Sequence, residues 1–283
     1  MPNAPQVFRD IASMRAAVAK WRAAGERIAL IPTMGALHAG HASLVEASRK
    51  NAERTIVSIF VNPTQFAAGE DFGAYPRTFD ADLAKLADVG ADGCFAPDAA
   101  EMYRPGFATE ILPGGPAAAG LEDRFRPTHF PGVALVVAKL LNQAQADSAF
   151  FGEKDFQQLA VIRQMAGDLD IATAIFGVPT LREADGLAMS SRNVYLTPEE
   201  REKAPQLFAV LRKTAMAMRA GGAPSRAAGE GSGELAAAGF AVDYLEARHA
   251  LTLAPIASLD DGPVRLLVAA KLGKTRLIDN IAI

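Results

Sequence analysis

Residues 27–45 read RIALIPTMGALHAGHASLV and contain an apolar run, a glycine-containing turn and the start of a helical pattern, in that order. The run at 27–32 is continuous rather than alternating, which is typical of a strand buried on both faces of a parallel sheet. Leu44 and Ser48 then recur at the spacing of one helix face. This succession predicts a strand, a turn and a helix that begins near His41.

The same alternation of strand and helix continues through the first two-thirds of the chain. The further predicted elements are strands at 54–61, 93–95, 148–151 and 172–176 and helices at 132–145 and 155–168. Alternation of this kind predicts a doubly wound α/β sheet, in which ligands bind at the carboxyl ends of the strands.

After the last of these strands the pattern changes. TPEE at 197–200 predicts a helix start, because Thr197 can cap the helix while Glu200 closes a capping box. The helix is expected to continue to Ala220, where GGAP stops it. The segment 221–233 is rich in Gly, Ser and Ala and is expected to be a mobile connection.

Three β-rich stretches near the C-terminus predict a few antiparallel strands: FAVDYLEARH, RLLVAAKL and RLIDNIAI. We therefore expect two domains. The first, at 1–180, carries the doubly wound parallel sheet, and the second, at 181–283, is a smaller α+β domain.

The composition is that of an ordinary globular chain. Half of the 283 residues are hydrophobic and the formal net charge is −3, so no general basic field is available for nucleic acid. No apolar run approaches the roughly 20 residues of a membrane-spanning helix, and the N-terminus lacks a signal-peptide layout. The single cysteine, Cys94, is expected to be a small buried hydrophobe. We predict a cytoplasmic protein that binds neither nucleic acid nor membrane.

Two of the four histidines, His38 and His41, lie in MGALHAGH. A helix N-terminus presents unpaired N–H groups that favour phosphate, and Gly35 and Gly40 allow a ligand to approach the backbone closely. Both histidines can donate hydrogen bonds to phosphate oxygens. An H-x-x-H pair can also bind a metal, although no Cys, Asp or Glu lies at ligand spacing nearby. Either histidine alone could simply make hydrogen bonds within the turn. The histidines together with the glycines, the preceding strand and the following helix favour nucleotide binding.

A second group of phosphate donors is GLAMSSRN at 186–193. Ser190, Ser191 and Arg192 supply two hydroxyls and a guanidinium in succession. Taken alone, SSR is a common solvated turn. Paired with the earlier H-x-G-H loop, it is similar to the second signature of adenylate-forming nucleotidyltransferases, in which a mobile loop closes over the β- and γ-phosphates.

A third stretch, FFGEKDFQQ at 150–158, runs from a strand into a helix. Lys154 is a point charge suited to triphosphate. Asp155 is equally consistent with capping the helix and with holding a ribose hydroxyl or a metal. Gln157 and Gln158 lie in the first helical turn, where a polar side chain can face a cleft.

Two further segments place polar side chains near the same sheet edge. FVNPTQF puts Asn62 and Gln65 after the second strand, and neutral amides there can bind hydroxyl and carboxylate oxygens. FRPTHFPGV offers Arg126 and His129 before a helix. Arg126 suits either a phosphate or a plain surface ion pair. Together the segments predict a small polar substrate pocket.

These segments, in this order, resemble the pantothenate synthetase (pantoate–β-alanine ligase) family. The matching motifs, which span nearly the whole chain, are PTMGALHAGH, SIFVNPTQF, AYPRT, RPTHFPGV, FFGEKDFQQL, VPTLREADGLAMSSRNVYL, RLLVAAKLG and TRLIDNIAI. The resemblance implies a Rossmann-like N-terminal domain, a hinged C-terminal lid domain and a homodimer. It also implies ATP-dependent condensation of (R)-pantoate with β-alanine to pantothenate, through a pantoyl adenylate and with release of AMP and pyrophosphate.

The same resemblance assigns the site residues. ATP, a substrate accompanied by Mg²⁺, is expected to contact Met34, Gly35, Ala36, Leu37, His38, Ala39, Gly40, His41, Gly152, Glu153, Lys154, Asp155, Leu181, Met189, Ser190, Ser191 and Arg192. The implied catalytic residues are His41, His38, Lys154 and Arg192. The implied pantoate and β-alanine site comprises Gln65 and Gln158, with Asn62, Arg126 and His129 in or beside it. No tightly bound organic cofactor is expected, and the metal ligands are not identified.

Three other functions fit parts of the pattern. A simple nucleotidyltransferase would share the ATP motifs, but such chains usually lack a second domain of this size. A tRNA-charging enzyme shares the H-x-G-H loop, but the acidic balance argues against it. A non-catalytic ATP-sensing module would leave Gln65, Gln158 and Arg126 without a role.

Overall fold

The computed structural model describes residues 4–67 and 69–283. The strands are β1 Gln6–Phe8, β2 Ile28–Thr33, β3 Arg54–Ile59, β4 Gly93–Phe95, β5 Ser148–Gly152, β6 Ala174–Val178, β7 Ala241–His249, β8 Val264–Leu272 and β9 Thr275–Ala282. The α-helices are α1 Ile11–Ala23, α2 Ala39–Ser48, α3 Phe79–Asp88, α4 Ala99–Met102, α5 Glu122–Phe125, α6 His129–Ala144, α7 Phe156–Asp168, α8 Pro198–Lys203, α9 Gln206–Arg219 and α10 Pro224–Ala237.

The first six strands form one parallel sheet in the order β1-β4-β3-β2-β5-β6. The chain moves outward from β2 through β3 and β4, then continues on the other side of β2 with β5 and β6. Because the strand order reverses between β2 and β5, a crevice forms there outside the carboxyl ends of the strands. The predicted doubly wound α/β sheet is confirmed.

The central strand β2 is buried because helices cover both faces of the sheet. Side chains 28–31 are fully inaccessible to solvent, which explains the continuous apolar run. Val133 and Val137 of α6 pack on one face, and Leu44 and Val45 of α2 pack on the other. Each such buried side chain contributes about 1.5–3 kcal/mol. Burial therefore fixes the position of the sheet and of the crevice at its edge.

The last three strands form an antiparallel sheet in the order β7-β8-β9, as the β-rich C-terminal stretches predicted. Leu211 of α9 and Leu235 of α10 share one apolar cluster with Val268 of β8. In the sequence, all strands of the parallel sheet come before residues 180–181 and all strands of the antiparallel sheet come after them. The division of the chain into two domains at this point stays a prediction.

Buried ion pairs hold the C-terminal sheet in place. Glu122 of α5 accepts hydrogen bonds from Arg276 of β9 at 2.7 and 2.8 Å and from the Tyr244 hydroxyl of β7 at 2.7 Å. Arg182 donates to Asp279 of β9 at 2.6 and 2.9 Å. Since an unpaired buried charge is costly, the first group of contacts holds the C-terminal sheet against α5, and the second fixes the segment after residue 181 on β9.

Two predictions for the C-terminal part were wrong. The helix expected to continue to Ala220 is divided into α8 and α9, because Pro205 between them has no N–H to continue the ladder. The segment 221–233, expected to be a mobile connection, lies largely within α10. A Cβ on Gly231 would collide with Thr214 of α9. The small residue therefore permits close helix packing, and it does not mark a flexible linker.

Cys94 of β4 is fully buried, and burial raises the pKa of its thiol to about 12. The prediction of a small buried hydrophobe is confirmed. Within the described residues, no helix has both the length and the apolar character required to cross a bilayer.

Candidate active site

The turn after β2, residues 34–41, which we call the histidine turn, is built by hydrogen bonds between its side chains and its own backbone. His38 caps α2, because its Nδ1 accepts from the Gly40 N–H at 3.1 Å. His41 Nδ1 accepts from the His38 N–H at 3.2 Å. The two histidines thus form a reciprocal capping box, and α2 begins at Ala39, earlier than the sequence predicted.

These hydrogen bonds determine which ring nitrogen carries the proton. A nitrogen that accepts from a backbone N–H holds no proton, so Nε2 is the donor in both neutral rings. Burial lowers the pKa of His38 to about 4, assisted by the charge of Lys154. Burial lowers the pKa of His41 to about 3, assisted by His38. Both rings are therefore neutral near pH 7, and with ring centroids 4.1 Å apart they offer two adjacent Nε2–H donors.

Several backbone N–H groups of the histidine turn already donate hydrogen bonds to side chains of the protein. Those of Ala36 and Leu37 donate to the Asp82 carboxylate at 2.8 Å each, and those of His38 and Gly40 donate to the imidazoles. The expectation that such groups stay unpaired for phosphate does not hold for these four. Sequence reasoning missed Asp82 because it lies 46 residues beyond Ala36.

The carboxyl end of β5 places Lys154 and Asp155 at the same crevice. Lys154 Nζ lies 3.7 Å from Asp155 Oδ2, and the Asp155 side chain makes no capping hydrogen bond to α7. Burial raises the pKa of Asp155, but the charges of Lys154 and Arg192 outweigh it and hold the pKa below its ordinary value. The carboxylate is therefore ionised at neutral pH. Glu153, in contrast, pairs with the C-terminal sheet.

The loop that carries SSR closes the crevice opposite the sheet. Ser191 Oγ donates to the Ala36 carbonyl at 3.0 Å, which docks this loop on the histidine turn. Arg192 forms a bidentate ion pair with Asp71 at 2.8 and 2.9 Å. The two predicted ATP motifs are thus in direct contact, although they lie far apart in the sequence.

Gln65 is oriented by Asn62 and His129. Asn62 Nδ2 donates to Gln65 Oε1 at 3.2 Å, while Asn62 Oδ1 accepts from the Tyr103 hydroxyl at 2.8 Å. His129 Nδ1 lies 3.1 Å from the Gln65 carbonyl oxygen. The Gln65 amide in turn donates to Met34 Sδ at 3.0 Å. Asn62 and His129 therefore support Gln65, and of these two supporting residues only Asn62 lines the crevice together with Gln65.

Arg126 and the two adjacent glutamines have distinct surroundings. Arg126 forms a bidentate ion pair with Glu70 at 2.7 and 2.8 Å. Gln157 is buried in the protein and donates to the Pro116 carbonyl at 2.8 Å, whereas Gln158 lines the crevice. Of the two glutamines, Gln158 is therefore the one that can meet a ligand.

A cavity of about 220 Å³ occupies the crevice. The predicted residues on its wall are Met34, His38, Gly40, His41, Asn62, Gln65, Gly152, Lys154, Asp155, Gln158, Leu181, Met189, Ser190, Ser191 and Arg192. The predicted residues outside this wall are Gly35, Ala36, Leu37, Ala39, Arg126, His129 and Glu153. The wall also includes apolar residues that the sequence analysis did not single out: Phe60, Val133, Val136, Val137 and Leu140. The role of each residue toward a ligand stays a prediction.

Metal binding by the two histidines would need further protein ligands. Among the residues that the structure describes, no three His, Cys, Asp or Glu side chains gather in a way that could hold a metal ion. Nδ1 of each ring is also engaged by a backbone N–H. The arrangement therefore favours hydrogen bonding by the histidines.

The family model for pantoate-beta-alanine ligase matches residues 6–282. The chain belongs to the pantoate–β-alanine ligase family. Two relatives are 56% identical to it over 283 residues, which is 100% of each chain: "Pantothenate synthetase" of Rhodopseudomonas palustris (strain HaA2) and "Pantothenate synthetase 2" of Bradyrhizobium diazoefficiens. The resemblance found in the motifs is confirmed.

Solved structures of this ligase family share the fold. Pantothenate synthetase from Thermus thermophilus superposes with a TM-score of 0.92 at 44% identity, over 98% of both chains. The pantoate–β-alanine ligase of Francisella tularensis, complexed with beta-gamma ATP and β-alanine, has a TM-score of 0.84 at 33% identity. That match covers 99% of this chain and 98% of the other.

Proposed function

We propose that this ligase condenses (R)-pantoate with β-alanine to form pantothenate, using ATP and passing through a pantoyl adenylate. The observation that carries the proposal is the pair of neutral Nε2–H donors, from His38 and His41, at the point where the strand order reverses. Lys154, Ser190 and Arg192 line the same cavity. Donors oriented in advance suit the charge that develops during transfer at a phosphate.

In the first half-reaction, a pantoate carboxylate oxygen attacks the α-phosphorus of ATP, and the bond from that phosphorus to the bridging oxygen breaks. The substrate carboxylate is already a nucleophile, so this step needs no protein base. The site must instead hold two anions together and stabilise charge on the α-phosphoryl group and on the departing pyrophosphate. His38 and His41 donate hydrogen bonds without adding net charge, and Lys154 and Arg192 supply positive charge.

In the second half-reaction, the β-alanine amine attacks the acyl carbon. The bond from that carbon to the AMP oxygen breaks, AMP leaves with the electron pair, and the amine nitrogen releases a proton to water. Gln65 and Gln158 suit this end of the site because neutral amides bind hydroxyl and carboxylate oxygens without repelling them. The Francisella tularensis ligase, complexed with beta-gamma ATP and β-alanine, supports both ligands for this chain.

Mg²⁺ would enter with ATP. Proteins usually hold this ion through one or two carboxylates together with substrate phosphates and water. Asp155 fits such a ligand, because it lines the cavity, makes no capping hydrogen bond and has a pKa below its ordinary value. When bound, the ion would neutralise part of the phosphate charge.

We also assign the enzyme to the cytoplasm and expect a homodimer whose only other partners are its small substrates. The buried thiol of Cys94 is consistent with a reducing compartment. The dimer follows from the family resemblance. Sedimentation equilibrium of the purified chain would test it directly.

Exchange of labelled pyrophosphate into ATP, with β-alanine absent, tests the proposed reaction. We expect exchange that requires pantoate and does not occur with pivalate, a control carboxylate without hydroxyl groups. Pantothenate formation without such exchange would indicate a concerted or acyl-phosphate route. Absence of both activities in a folded enzyme that binds ATP would instead support a non-catalytic ATP module.

A further inference from the structure

The carboxylate of Asp82, on α3, lies directly behind the histidine turn and is almost fully buried. Its Oδ2 accepts from the Ala36 N–H and its Oδ1 from the Leu37 N–H, both at 2.8 Å. Oδ2 also accepts from the Thr78 hydroxyl at 3.2 Å. Hydrogen bonds to a carboxylate are stronger than neutral ones. One buried side chain therefore holds two consecutive peptide groups of the turn.

The turn requires such support because its backbone is strained. The strain lies at Ala36, whose φ of +50° is in the left-handed region that residues with a side chain rarely adopt, whereas Gly35 adopts its φ of +82° freely. A Cβ on Gly35 would lie 3.2 Å from Asp82 Oδ2 and 3.1 Å from Ile59 Cγ2. Strained conformations persist only where the surrounding structure holds them in place. The two hydrogen bonds that Asp82 accepts from the turn contribute to that support.

Contacts from the turn reach both halves of the proposed site. The Ala36 carbonyl accepts from Ser191 Oγ, and Met34 Sδ accepts from the Gln65 amide, each at 3.0 Å. The turn then leads directly into the capping box that orients His38 and His41. A change in the path of the two peptides held by the carboxylate would therefore shift the ATP loop, the substrate glutamine and the histidine donors together.

We propose that Asp82 is a positioning residue for adenylate formation, which fixes the histidine turn and thereby sets both the affinity for ATP and the rate of this step. This inference rests on the proposed function. Lys85, one turn further along the same helix, also holds the turn by donating to the Leu37 carbonyl at 2.5 Å. The helix is itself anchored through Leu86, which is buried against the sheet. Asp82 and Lys85 thus form a clamp on one peptide segment.

Asp82→Asn tests the proposal, because asparagine keeps the size of the side chain but turns an NH2 group toward a backbone N–H. We expect the KM for ATP in pyrophosphate exchange to rise about tenfold and kcat to fall about tenfold, the size typical of a lost charged hydrogen bond. The matched control is Asp80→Asn, which makes the same charge change at an exposed position of the same helix. Its kinetics should equal those of the wild type.

A folded Asp82→Asn enzyme with wild-type KM and kcat would overturn the proposal. The proposal would also be overturned if the KM for ATP is unchanged and the activity falls only in proportion to the folded fraction, as measured by circular dichroism. If Asp82→Asn does not fold, Lys85→Met replaces it. That variant should raise the KM for ATP about threefold, and a wild-type KM would be decisive against the clamp.

Calorimetric titration with ATP separates failure of this inference from failure of the proposed function. If the wild type shows no pantoate-dependent exchange, the proposed reaction is wrong. The dissociation constant for ATP then still reports on Asp82. It should be about tenfold weaker in Asp82→Asn than in Asp80→Asn, and equal values would overturn the positioning role.

Discussion

The histidine turn and the arginine side of the cavity hold their polar groups in different ways. In the turn, both imidazoles accept from backbone N–H groups of the same short segment, and neither is charged near neutral pH. On the arginine side, Arg192 of the cavity wall is paired with Asp71, and Arg126, which lies outside that wall, is paired with Glu70. Both carboxylates come from a loop that precedes α3, far from either arginine in the sequence.

This difference affects how each region would receive an anion. An oriented neutral donor can bind a phosphate oxygen without losing another partner. A guanidinium that is already paired must exchange or share its carboxylate, so part of the new attraction is offset. We therefore expect the histidine turn to contribute most to the rate of adenylate formation. We expect the arginine side to change mainly the affinity for ATP.

The largest effect is expected at His41. His41→Asn keeps an acceptor near the position of Nδ1 for the capping box but removes the Nε2–H donor. Pyrophosphate exchange should fall about 10²–10³-fold, the usual loss for one electrostatic donor. The melting temperature should change little because the cap is retained.

His41→Gln is the matched variant, because its amide can donate from near the position of Nε2. It should recover part of the activity that His41→Asn loses. Near-normal turnover by a folded His41→Asn enzyme would show that the histidine turn is not the main source of transition-state stabilisation. The proposed difference between the turn and the arginine side would then be wrong.

A smaller effect is expected from pH. The pKa values of His38 and His129 are lowered to about 4 and that of His41 to about 3, in each case mainly by burial. Unfolded histidines titrate near 6.5, so between about pH 4 and 6.5 the unfolded chain binds more protons. The stability from these residues is therefore complete above 6.5 and is lost as the pH falls through this window.

Urea unfolding between pH 5 and 6.5 measures this effect. Each of these histidines should contribute a slope of up to about 1.4 kcal/mol per pH unit, and His41→Asn should remove one such contribution. Exchange activity of the folded wild type should show no histidine titration in the same range. An activity midpoint near 6.5 that disappears in His41→Asn would contradict the neutral-donor interpretation.

The smallest effect is expected on the arginine side. Asp71→Asn removes the carboxylate that pairs with Arg192, so the KM for ATP should fall about two- to fivefold, as expected for a partly exposed ion pair. Steady-state kinetics at constant ionic strength would measure it, with Asp80→Asn as the control. A higher KM for ATP would mean that Asp71 positions Arg192 and does not compete with phosphate. The arginine side would then, like the histidine turn, hold its donor in place for the ligand.

The segment 221–233, predicted to be a mobile connection but found largely within α10, shows where pattern reasoning fails. Glycine and serine favour a connection when only the local sequence is considered. In the structure Gly231 lies against Thr214 of another helix, and its lack of a side chain permits that contact. The meaning of a small residue therefore depends on a neighbour that local composition does not identify.

Sequence patterns alone predicted the alternation of strands and helices, the antiparallel C-terminal strands, the buried state of Cys94 and the family. These features depend on periodicity and on short-range spacing, which a linear pattern records. The three-dimensional arrangement alone revealed the Asp82 clamp, the pairing of Arg192 with Asp71 across 121 residues, and the support of Gln65 by His129. Periodicity specifies which face of an element is buried, but it does not specify which distant side chain meets that element once the strand order brings them together.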